Sequence, residues 1–334
     1  MNFAATLLQW FKNNGRSLPW RETNDPYAIW LSEVILQQTR IVQGMSYWER
    51  FIAQWPTVND LAAATENEVL KAWQGLGYYS RARNLHTAAQ QVVELGGFPQ
   101  TFKDLKTLKG VGDYTAAAIA SIAFGEPVAV VDGNVYRVLS RYFGIDTPID
   151  STEGKKDFQA LAQSLLPINE PADYNEAIMD FGATQCTPNS PHCSACPLCE
   201  TCVAFREQRI NELPVKSKKV KQRERHFTYL YIEYEGKIAI HQRGAGDIWQ
   251  GLWEFPQEEH LTSSEDSAWK TEAQLLQKGV KHILTHQILL ADIYLWQPKH
   301  RPQLPSDFIW IEKQDLENYA LPRLIEILLK AVPA

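Results

Sequence analysis

The stretch LKTLKGVGDYTAAAIASIAF, Leu105–Phe124, contains a glycine-rich turn between two helical patterns. A G-x-G turn that opens a helix presents backbone N–H groups to a phosphate, and the positive end of the helix adds to the attraction. A lone G-x-G more often marks only a helix–helix turn, but the lysines within residues 103–109 favour phosphate contacts by Gly110 and Gly112. Such contacts position a nucleic acid without reading its sequence.

This turn lies in a long run of helical patterns. Residues 1 to about 205 show helical periodicity broken by short Gly/Pro turns, with little alternation of period two. A charged segment poor in apolar residues follows, and the composition beyond it is aromatic and β-branched. The patterns there predict strands over Phe227–Tyr234, Lys237–Gln242, Ile288–Trp296 and Phe308–Ile311, and a helix over Pro322–Lys330. We expect an all-α domain over 1–210, a linker over 211–225 and a smaller α+β domain over 226–334.

Composition limits the classes of function. The 334 residues are enough for two domains with cores of their own. The net charge of −6 counts against a large non-specific nucleic-acid surface but leaves room for a narrow basic groove. No apolar run is long enough to span a membrane, and the first residues lack the pattern of a signal peptide. We expect a cytoplasmic protein without a membrane partner, whose cysteines are reduced.

A single glutamate stands among large apolar residues in IWLSEVILQQT, Ile29–Thr39. Asp25 is placed to cap a helix, and Pro26 fits the first helical position. Apolar residues surround most of the axis of this helix, so we expect Glu33 to be buried or half-buried, with a raised pKa. Because perturbed groups are often structural, the segment alone favours an ion pair over a proton donor.

A second carboxyl, Asp132, follows Gly112 by twenty residues in VVDGNVYRVLSR. It precedes a helical pattern, and the default role of such an aspartate is an N-cap. Its alternative role is that of a partner for Glu33. Paired carboxyls cleave glycosidic bonds, because one protonates the leaving group while the other stabilises or traps a sugar cation.

All five cysteines lie within CTPNSPHCSACPLCETC, residues 186–202. In a reducing compartment this density indicates a metal centre rather than disulfides. Zinc and an iron–sulfur cluster both accept four thiolates, and spacing alone leaves the two about equally favoured. One tight wrap with the spacing C-x6-C-x2-C-x5-C suits a cubane better and leaves Cys199 spare. Its members are Cys186, Cys193, Cys196 and Cys202.

Together these motifs resemble the iron–sulfur DNA glycosylases similar to endonuclease III, which share the helix–hairpin–helix, the aspartate of VDGNV and the four-cysteine loop. Bifunctional members carry a lysine two residues after the second hairpin glycine, and Tyr114 in its place implies a monofunctional enzyme. LPWR, WLSEVILQQT and GLGYYSRARNL resemble the signature of the adenine DNA glycosylases (the MutY type), which excise adenine mispaired with 8-oxoguanine or guanine. The resemblance covers residues 1 to about 205 strongly and the C-terminal part more weakly.

This resemblance implies catalytic roles. Glu33 would be the general acid that protonates adenine in a flipped-out nucleotide. Asp132 would stabilise the sugar cation or trap it covalently, Tyr114 would lie beside that chemistry, and Asn134 would orient the site. The four-cysteine wrap would hold one 4Fe–4S cluster, with a structural and DNA-positioning role.

The resemblance also implies two groups of substrate-binding residues. The adenine pocket would be lined by Leu18, Trp20, Arg21, Leu36 and Glu176. For Trp20 and Leu36 alone, core packing is the better explanation. Side chains that enter the duplex beside the lesion, and fill the gap left by base flipping, would be Gln38, Thr39, Leu76 and Tyr78.

GLWEFP, Gly251–Pro256, is similar to the Nudix-like module that these glycosylases carry. The residues after it lack the spaced R-E-x-x-E-E helix that would hold catalytic Mg²⁺, so hydrolysis of nucleoside triphosphates is not expected. In the family a Phe-Ser-His loop contacts 8-oxoguanine. Leu284-Thr285-His286 stands in its place and keeps the hydroxyl and the histidine. The alternative for His282 and His286 is an ordinary pair of strand-end histidines.

The expected fold is a mainly α helix–hairpin–helix glycosylase domain with an iron–sulfur cluster loop, followed by an α+β Nudix-like domain for 8-oxoguanine recognition. The expected activity is removal of adenine opposite 8-oxoguanine or guanine from double-stranded DNA, in base excision repair, by a nucleoid-associated monomer. A thymine mismatch glycosylase is the nearest alternative, and the long C-terminal domain and Glu33 argue against it. A non-catalytic iron–sulfur DNA-binding protein is the other, but it would need neither Glu33 nor Asp132.

Overall fold

The structure, a computed structural model, describes residues 2–37, 39–217, 222–261 and 263–333. The chain divides into two compact units, one built from Met1–Ala62 and Thr87–Lys218 and the other from Ala63–His86 and Lys219–Ala334. The units differ from the linear domains expected from the sequence, because residues 63–86 pack with the C-terminal part of the chain. Lys71 Nζ, for example, donates to the carbonyl of Tyr319 at 3.2 Å.

Fourteen α-helices form within the described residues. They are α1 (Phe3–Asn14), α2 (Pro26–Leu36), α3 (Ile41–Gln54), α4 (Val58–Ala63), α5 (Glu66–Trp73), α6 (Ser80–Glu94), α7 (Phe102–Leu105), α8 (Asp113–Phe124), α9 (Gly133–Phe143), α10 (Thr152–Leu165), α11 (Pro171–Asp180), α12 (Val203–Arg206), α13 (Ser263–Glu272) and α14 (Arg323–Leu328). The unit boundaries fall inside α4 and α6. As predicted, the described residues of the first unit contain no strand.

Helix α2 begins where the sequence predicts. The side chain of Asp25 accepts a hydrogen bond of 3.0 Å from the N–H of Tyr27, and Pro26 occupies the first helical position. Every residue of Tyr27–Ile35 is buried, including Glu33. The prediction of a buried helix with a buried glutamate is therefore confirmed.

The glycine-rich turn joins the short helix α7 to α8. Gly110 has φ +76°, a left-handed conformation that suits a residue without a side chain. Helix α8 is buried from Thr115 to Ser121 and packs against α2 and α11. Helix α9 packs against α11 as well, so the fold brings residues from α2, α8, α9 and α11 to one place.

The second unit contains a six-stranded sheet. Its strands are β1 (Arg223–Tyr234), β2 (Lys237–Gln242), β3 (Trp253–Glu254), β4 (Gln274–Ile283), β5 (Gln287–Trp296) and β6 (Phe308–Glu312). The order is β3-β2-β1-β5-β4, with β6 also paired to β2. β1 and β5 are parallel, whereas the other pairs are antiparallel. One core of this unit is formed by residues such as Tyr229, Phe255 and Leu324.

All four predicted strands are present, and α14 with a 3₁₀ turn over Leu329–Ala331 replaces the single predicted C-terminal helix. β1 starts at Arg223, inside the expected linker, because its main chain pairs with β5 from Arg223 onwards despite the charged side chains. β3, β4 and α13 were not predicted. No helix among the described residues combines the length and apolarity needed to cross a membrane.

Candidate active site

Glu33 forms the centre of the site in the first unit. Its side chain lies on α2, it is 9% exposed, and Oε2 accepts a hydrogen bond of 2.6 Å from the hydroxyl of Tyr114 on α8. Burial raises the pKa of Glu33 to about 7, against the opposing effect of the Tyr114 hydrogen bond. That value already includes the negative charges of Asp132 and Glu176, which raise the pKa, and the charge of Arg21, which lowers it. Glu33 is thus a carboxyl that keeps its proton close to neutral pH.

Asp132 caps α9 and also faces the site. Its Oδ1 accepts from the N–H groups of Asn134 and Val135, both at 2.8 Å, and its Oδ2 accepts from Asn134 Nδ2 at 2.7 Å. Burial raises the pKa of Asp132, and these hydrogen bonds oppose the shift. The default N-cap role is confirmed. Since the charge of Asp132 also acts on Glu33 and Tyr114, the cap places this carboxylate within electrostatic range of the buried acid.

Tyr114 bonds to Glu33 and is within electrostatic range of Asp132. Its hydroxyl is 3.2 Å from the sulfur of Met179 on α11 as well as bonded to Glu33. Burial raises its pKa well above 10, and the neighbouring carboxylates add to the effect. Tyr114 therefore stays a neutral phenol and acts as a hydrogen-bond donor.

Arg21 and Glu176 line the same region. Arg21 Nε lies 3.3 Å from Glu176 Oε1, and both terminal nitrogens of Arg21 donate to Asp180 at 2.9 Å. Burial raises the pKa of Glu176 to about 7, although Arg21 opposes it. The structure therefore brings these two predicted pocket residues together with Glu33.

The other predicted pocket residues are packed into the fold. Leu18 is 5% and Trp20 6% exposed, and the Trp20 ring makes an edge contact with Trp48 at 5.6 Å between centroids. Leu36, half-buried at the end of α2, lies over Gly44, where an added Cβ would come within 2.6 Å of it. Thr39 is half-buried just after α2, and Gln38 lies outside the described residues.

Sequence reasoning missed several residues of this site. Gln37 Nε2 donates to Thr115 Oγ1 at 3.1 Å, Met179 contacts Tyr114, and Asp180 binds Arg21. Asp180 follows Glu176 by four residues, so the helical spacing that places both on one face of α11 was an available signal. Nothing in the sequence indicated the roles of Gln37 or Met179, because their partners lie far away along the chain.

Arg137 connects Asn134 to the cysteine loop. One terminal nitrogen donates to Asn134 Oδ1 at 2.8 Å and to the carbonyl of Gly182 at 2.6 Å, while Nε donates to the carbonyl of Cys186 at 2.7 Å. The guanidinium is buried. Asn134 is therefore held from both sides, by Asp132 and by Arg137, which fits the predicted role of orienting the site.

The cysteine loop surrounds a cavity of about 30 Å³. All the cysteines line it, and they are Cys186, Cys193, Cys196, Cys199 and Cys202. Burial, together with the charges of the other three members of the predicted wrap, raises the pKa of Cys196 to about 12. Among the described residues, no group of three or more His, Cys, Asp or Glu side chains is arranged to hold a single metal ion. The sulfurs form a shared lining, with Cys199 beside the predicted four.

The hairpin offers main-chain donors with a mixed charge around them. Gly112 precedes α8 without a side-chain cap, and an added Cβ there would meet open space. Lys106 forms an ion pair of 2.5 Å with Asp113 in the first turn of α8. The positive charge of the lysines is therefore partly neutralised. The phosphate contact of Gly110 and Gly112 remains a prediction.

The second unit brings four predicted residues to one cavity of about 410 Å³. Leu76, Tyr78, Thr285 and His286 line it together with Trp249 and others. The hydroxyls of Tyr78 and Thr285 lie 2.6 Å apart, and Tyr78, at φ +48°, is 51% exposed.

Residues 284–286 form the turn between β4 and β5. The turn is closed by a hydrogen bond of 2.8 Å, which the N–H of Leu284 donates to the carbonyl of Gln287. Leu284 packs against the core of the unit, so the position that departs from the family pattern serves packing.

Two family profiles match the chain. The HhH-GPD superfamily of base excision DNA repair proteins matches residues 31–166, and the NUDIX domain matches residues 228–331. These matches cover the helices that hold Glu33, Tyr114 and Asp132 and the sheet of the second unit. The fold and site therefore define the class of helix–hairpin–helix base-excision-repair proteins with a Nudix-type domain, which confirms the expected fold class.

Relatives narrow the class to one family. The adenine DNA glycosylase of Mus musculus is 37% identical over 96% of this chain and 75% of its own length. That of Buchnera aphidicola subsp. Schizaphis graminum is 34% identical over 76% of this chain and 74% of its own. This chain belongs to the adenine DNA glycosylase family, as the sequence motifs predicted. A thermostable thymine-DNA glycosylase of known structure is 32% identical, with a TM-score of 0.57, over 61% of this chain and 95% of that one.

Proposed function

We propose that this chain is a monofunctional DNA glycosylase that hydrolyses the N-glycosidic bond of adenine mispaired with 8-oxoguanine or guanine in base excision repair. One observation carries the chemistry: a buried carboxyl, Glu33, with a pKa raised to about 7, feels the charge of a second carboxyl, Asp132, that helix-capping hydrogen bonds hold in place. Two carboxyls in unequal environments are the arrangement that splits acid and anion roles.

In the proposed reaction Glu33 gives its proton to a ring nitrogen of adenine. The bond between C1′ and the base then breaks, its electrons leave with the protonated base, and a sugar cation remains. Asp132 stabilises or traps that cation, and a water molecule adds to C1′ and loses a proton to a carboxylate. Tyr114 and Asn134 orient Glu33 and Asp132 through the bonds of 2.6 and 2.7 Å described above.

The product is an abasic site in an intact strand. Strand cleavage in related enzymes depends on an amine that forms a Schiff base, and Tyr114 offers a hydroxyl with a pKa well above 10 at that position. A phenol of this kind cannot form an imine with the sugar. Breaks should therefore follow only after alkali.

Recognition of the opposite base belongs to the second unit. We assign it to the cavity lined by Tyr78, Thr285 and His286, where hydroxyl and imidazole groups meet an apolar wall. The NUDIX match lacks the acidic helix for catalytic Mg²⁺, which supports a binding role for this unit. Double-stranded DNA would be held by Gly110 and Gly112. Insertion of side chains into the duplex beside the lesion stays a prediction for Gln38, Thr39, Leu76 and Tyr78.

A 4Fe–4S cluster is the proposed cofactor. Its ligands would be Cys186, Cys193, Cys196 and Cys202. Their sulfurs line one cavity, and they are close enough for the charge of one thiolate to raise the pKa of another. A donor set of four thiols fits such a cluster, which would supply structural rigidity and no step of the hydrolysis. The preparation should be brown, whereas a zinc protein would be colourless. We also propose a cytoplasmic, nucleoid-associated monomer.

Single-turnover base release tests the function. Duplexes would pair adenine with 8-oxoguanine, guanine or cytosine, and a further duplex would pair thymine with guanine. Adenine release opposite 8-oxoguanine, with breaks only after alkali, is the expected result. Release of thymine would move the chain to the activity named for the similar thymine-DNA glycosylase, and tight binding without release would mean a non-catalytic DNA-binding protein.

A further inference from the structure

Asp180 is a buried carboxylate at the end of α11 that the proposed chemistry does not use. It is 1% exposed, and it accepts hydrogen bonds of 3.0 Å from both the main-chain N–H and Nε of Arg16 and of 2.9 Å from each terminal nitrogen of Arg21. Burial alone would raise its pKa, but the two arginines outweigh burial and lower the pKa to about 2. Asp180 therefore carries a full negative charge at any pH at which the enzyme works.

Arg21 is shared unequally between two carboxyls. It gives Asp180 a two-point contact, the geometry in which a guanidinium binds a carboxylate best. It meets Glu176 only through Nε, at 3.3 Å. Burial of Glu176 outweighs this single contact, and the negative charge of Asp180 acts in the same direction as burial.

The largest electrostatic effects on Glu33 and Glu176 come from a small set of the described residues. Tyr114 on α8, Asp132 at the start of α9, Glu176 on α11 and Arg21 act on Glu33. Arg21, Asp180 and Asp173 act on Glu176. Arg21 is thus the cation common to both carboxyls, and its charge is the one that would ionise them.

We propose that Asp180 is a positioning residue that binds the charge of Arg21, so that Glu176 and Glu33 keep their protons in the pocket at neutral pH. This inference rests on the proposed function, since it concerns the acid of that reaction. Without Asp180, the unbalanced guanidinium would stabilise the ionised forms of both glutamates, and the ionised form of Glu33 has no proton to give.

The test is the pH profile of adenine release by the holoenzyme from a duplex with adenine opposite 8-oxoguanine. Asp180→Asn should move the alkaline limb of the profile down by about one pH unit, so that the rate falls about tenfold on the alkaline side. The plateau at acid pH should stay close to that of the unchanged protein. An equal loss at every pH would show a purely structural role and overturn the inference.

Two variants serve as controls. Asp173→Asn makes the same charge change on the same helix at an exposed carboxylate, and solvent screening should reduce its effect to a small fraction of that shift. Asp180→Glu keeps the charge and should keep the position of the limb, even if it lowers the plateau. A limb in Asp180→Glu that moves as far as in Asp180→Asn would contradict the role of the charge.

A third variant decides the matter if Asp180→Asn does not fold, as judged by circular dichroism. Arg16 is about a third exposed and shares Asp180 with Arg21, so Arg16→Gln removes a positive charge from the same carboxylate. The alkaline limb of its pH profile should move to higher pH, opposite to that of Asp180→Asn. A limb that stays in place or moves to lower pH overturns the inference. If the unchanged protein releases no adenine at all, the proposed function fails instead.

Discussion

Two buried glutamates, one in each unit, have opposite electrostatics. Glu33 in the first unit accepts a single hydrogen bond from the described residues, that of Tyr114. Glu254 in the second unit, 2% exposed, accepts four. These donors are Tyr229 at 3.0 Å, His241 at 3.1 Å, Arg243 at 2.6 Å and Gln257 at 3.1 Å. Burial raises the pKa of Glu33 to about 7, whereas at Glu254 these partners outweigh burial and lower the pKa.

Burial alone therefore does not identify a carboxyl that can act as an acid. The number of hydrogen-bond donors around a buried carboxyl decides whether it keeps its proton. Glu254 lies in the GLWEFP motif, and its partner Arg243 also donates to the carbonyl of Ile248 at 2.9 Å. The network thus connects two segments of the second unit. It also keeps Glu254 ionised, so that this carboxylate has no proton to donate. Glu33 has too few donors to be stable as an anion, which is the condition that a general acid requires. One glutamate stabilises structure, and the other stores a proton.

The same substitution in both regions should separate these roles, and the largest effect is expected at Glu33. Glu33→Gln should reduce single-turnover release of adenine by roughly 100- to 10,000-fold, because an amide cannot donate the proton. Affinity for the duplex should stay within about threefold, measured by fluorescence anisotropy. Glu153→Gln, at an exposed position of α10, is the matched control. Release at the unchanged rate by Glu33→Gln would return Glu33 to a structural role.

Glu254→Gln should act on stability instead. Removal of the charge leaves the buried guanidinium of Arg243 without its closest partner, which should lower the free energy of unfolding by about 3 kcal/mol. Adenine release per folded molecule should change little, since Glu254 does not line the cavity that we assign to recognition of the opposite base. Denaturation in urea, followed by tryptophan fluorescence, measures the loss, and the exposed Glu258 gives the control variant Glu258→Gln. A stability equal to that of the control would mean that the four hydrogen bonds contribute nothing net.

Local patterns were sufficient for much of this comparison. The cap at Asp25, the apolar surroundings of Glu33 and the strands β1 and β2 all follow from neighbours in the sequence, and each was predicted. The strand β4 was missed because it is mostly exposed and is interrupted by register shifts around Gln277. No periodic apolar face marks such a strand.

Long-range partners could not be predicted from the residues themselves. The bond between Glu33 and Tyr114 spans 81 positions, and that between Arg21 and Asp180 spans 159. The resemblance to a family supplied most of the site residues, but it did not supply Asp180. The packing of residues 63–86 into the second unit was missed for the same reason, since only tertiary contacts reveal it.

The two glutamates should also make the free energy of unfolding depend on pH in opposite directions. The pKa of Glu33 is raised from 4.5 to about 7 in the folded protein, so its contribution is fully present below 4.5 and is lost as the pH rises towards 7. Glu33→Gln cannot ionise, and it should gain on the order of 2 kcal/mol over the unchanged protein between about pH 5 and about pH 8. Glu254, with a lowered pKa, contributes stability above 4.5 that is lost as the pH falls. Urea titrations of the holoenzyme at both pH values measure the difference, and a gap that narrows with rising pH would contradict the assignment.

The smallest effect is expected at the single donor of Glu33. Tyr114→Phe removes the hydrogen bond that opposes the rise in the pKa of Glu33, so the alkaline limb of adenine release should move up, while the plateau falls by about threefold because the acid is less firmly oriented. Tyr136→Phe is the matched control, a half-buried tyrosine of α9 whose ring packs on Phe158. The upward shift is opposite in sign to that expected for Asp180→Asn, although each variant changes a single side chain of the site. A downward shift in Tyr114→Phe would mean that the phenol does not stabilise the ionised form of Glu33, and the contrast with the four donors of Glu254 would then no longer explain their different pKa values.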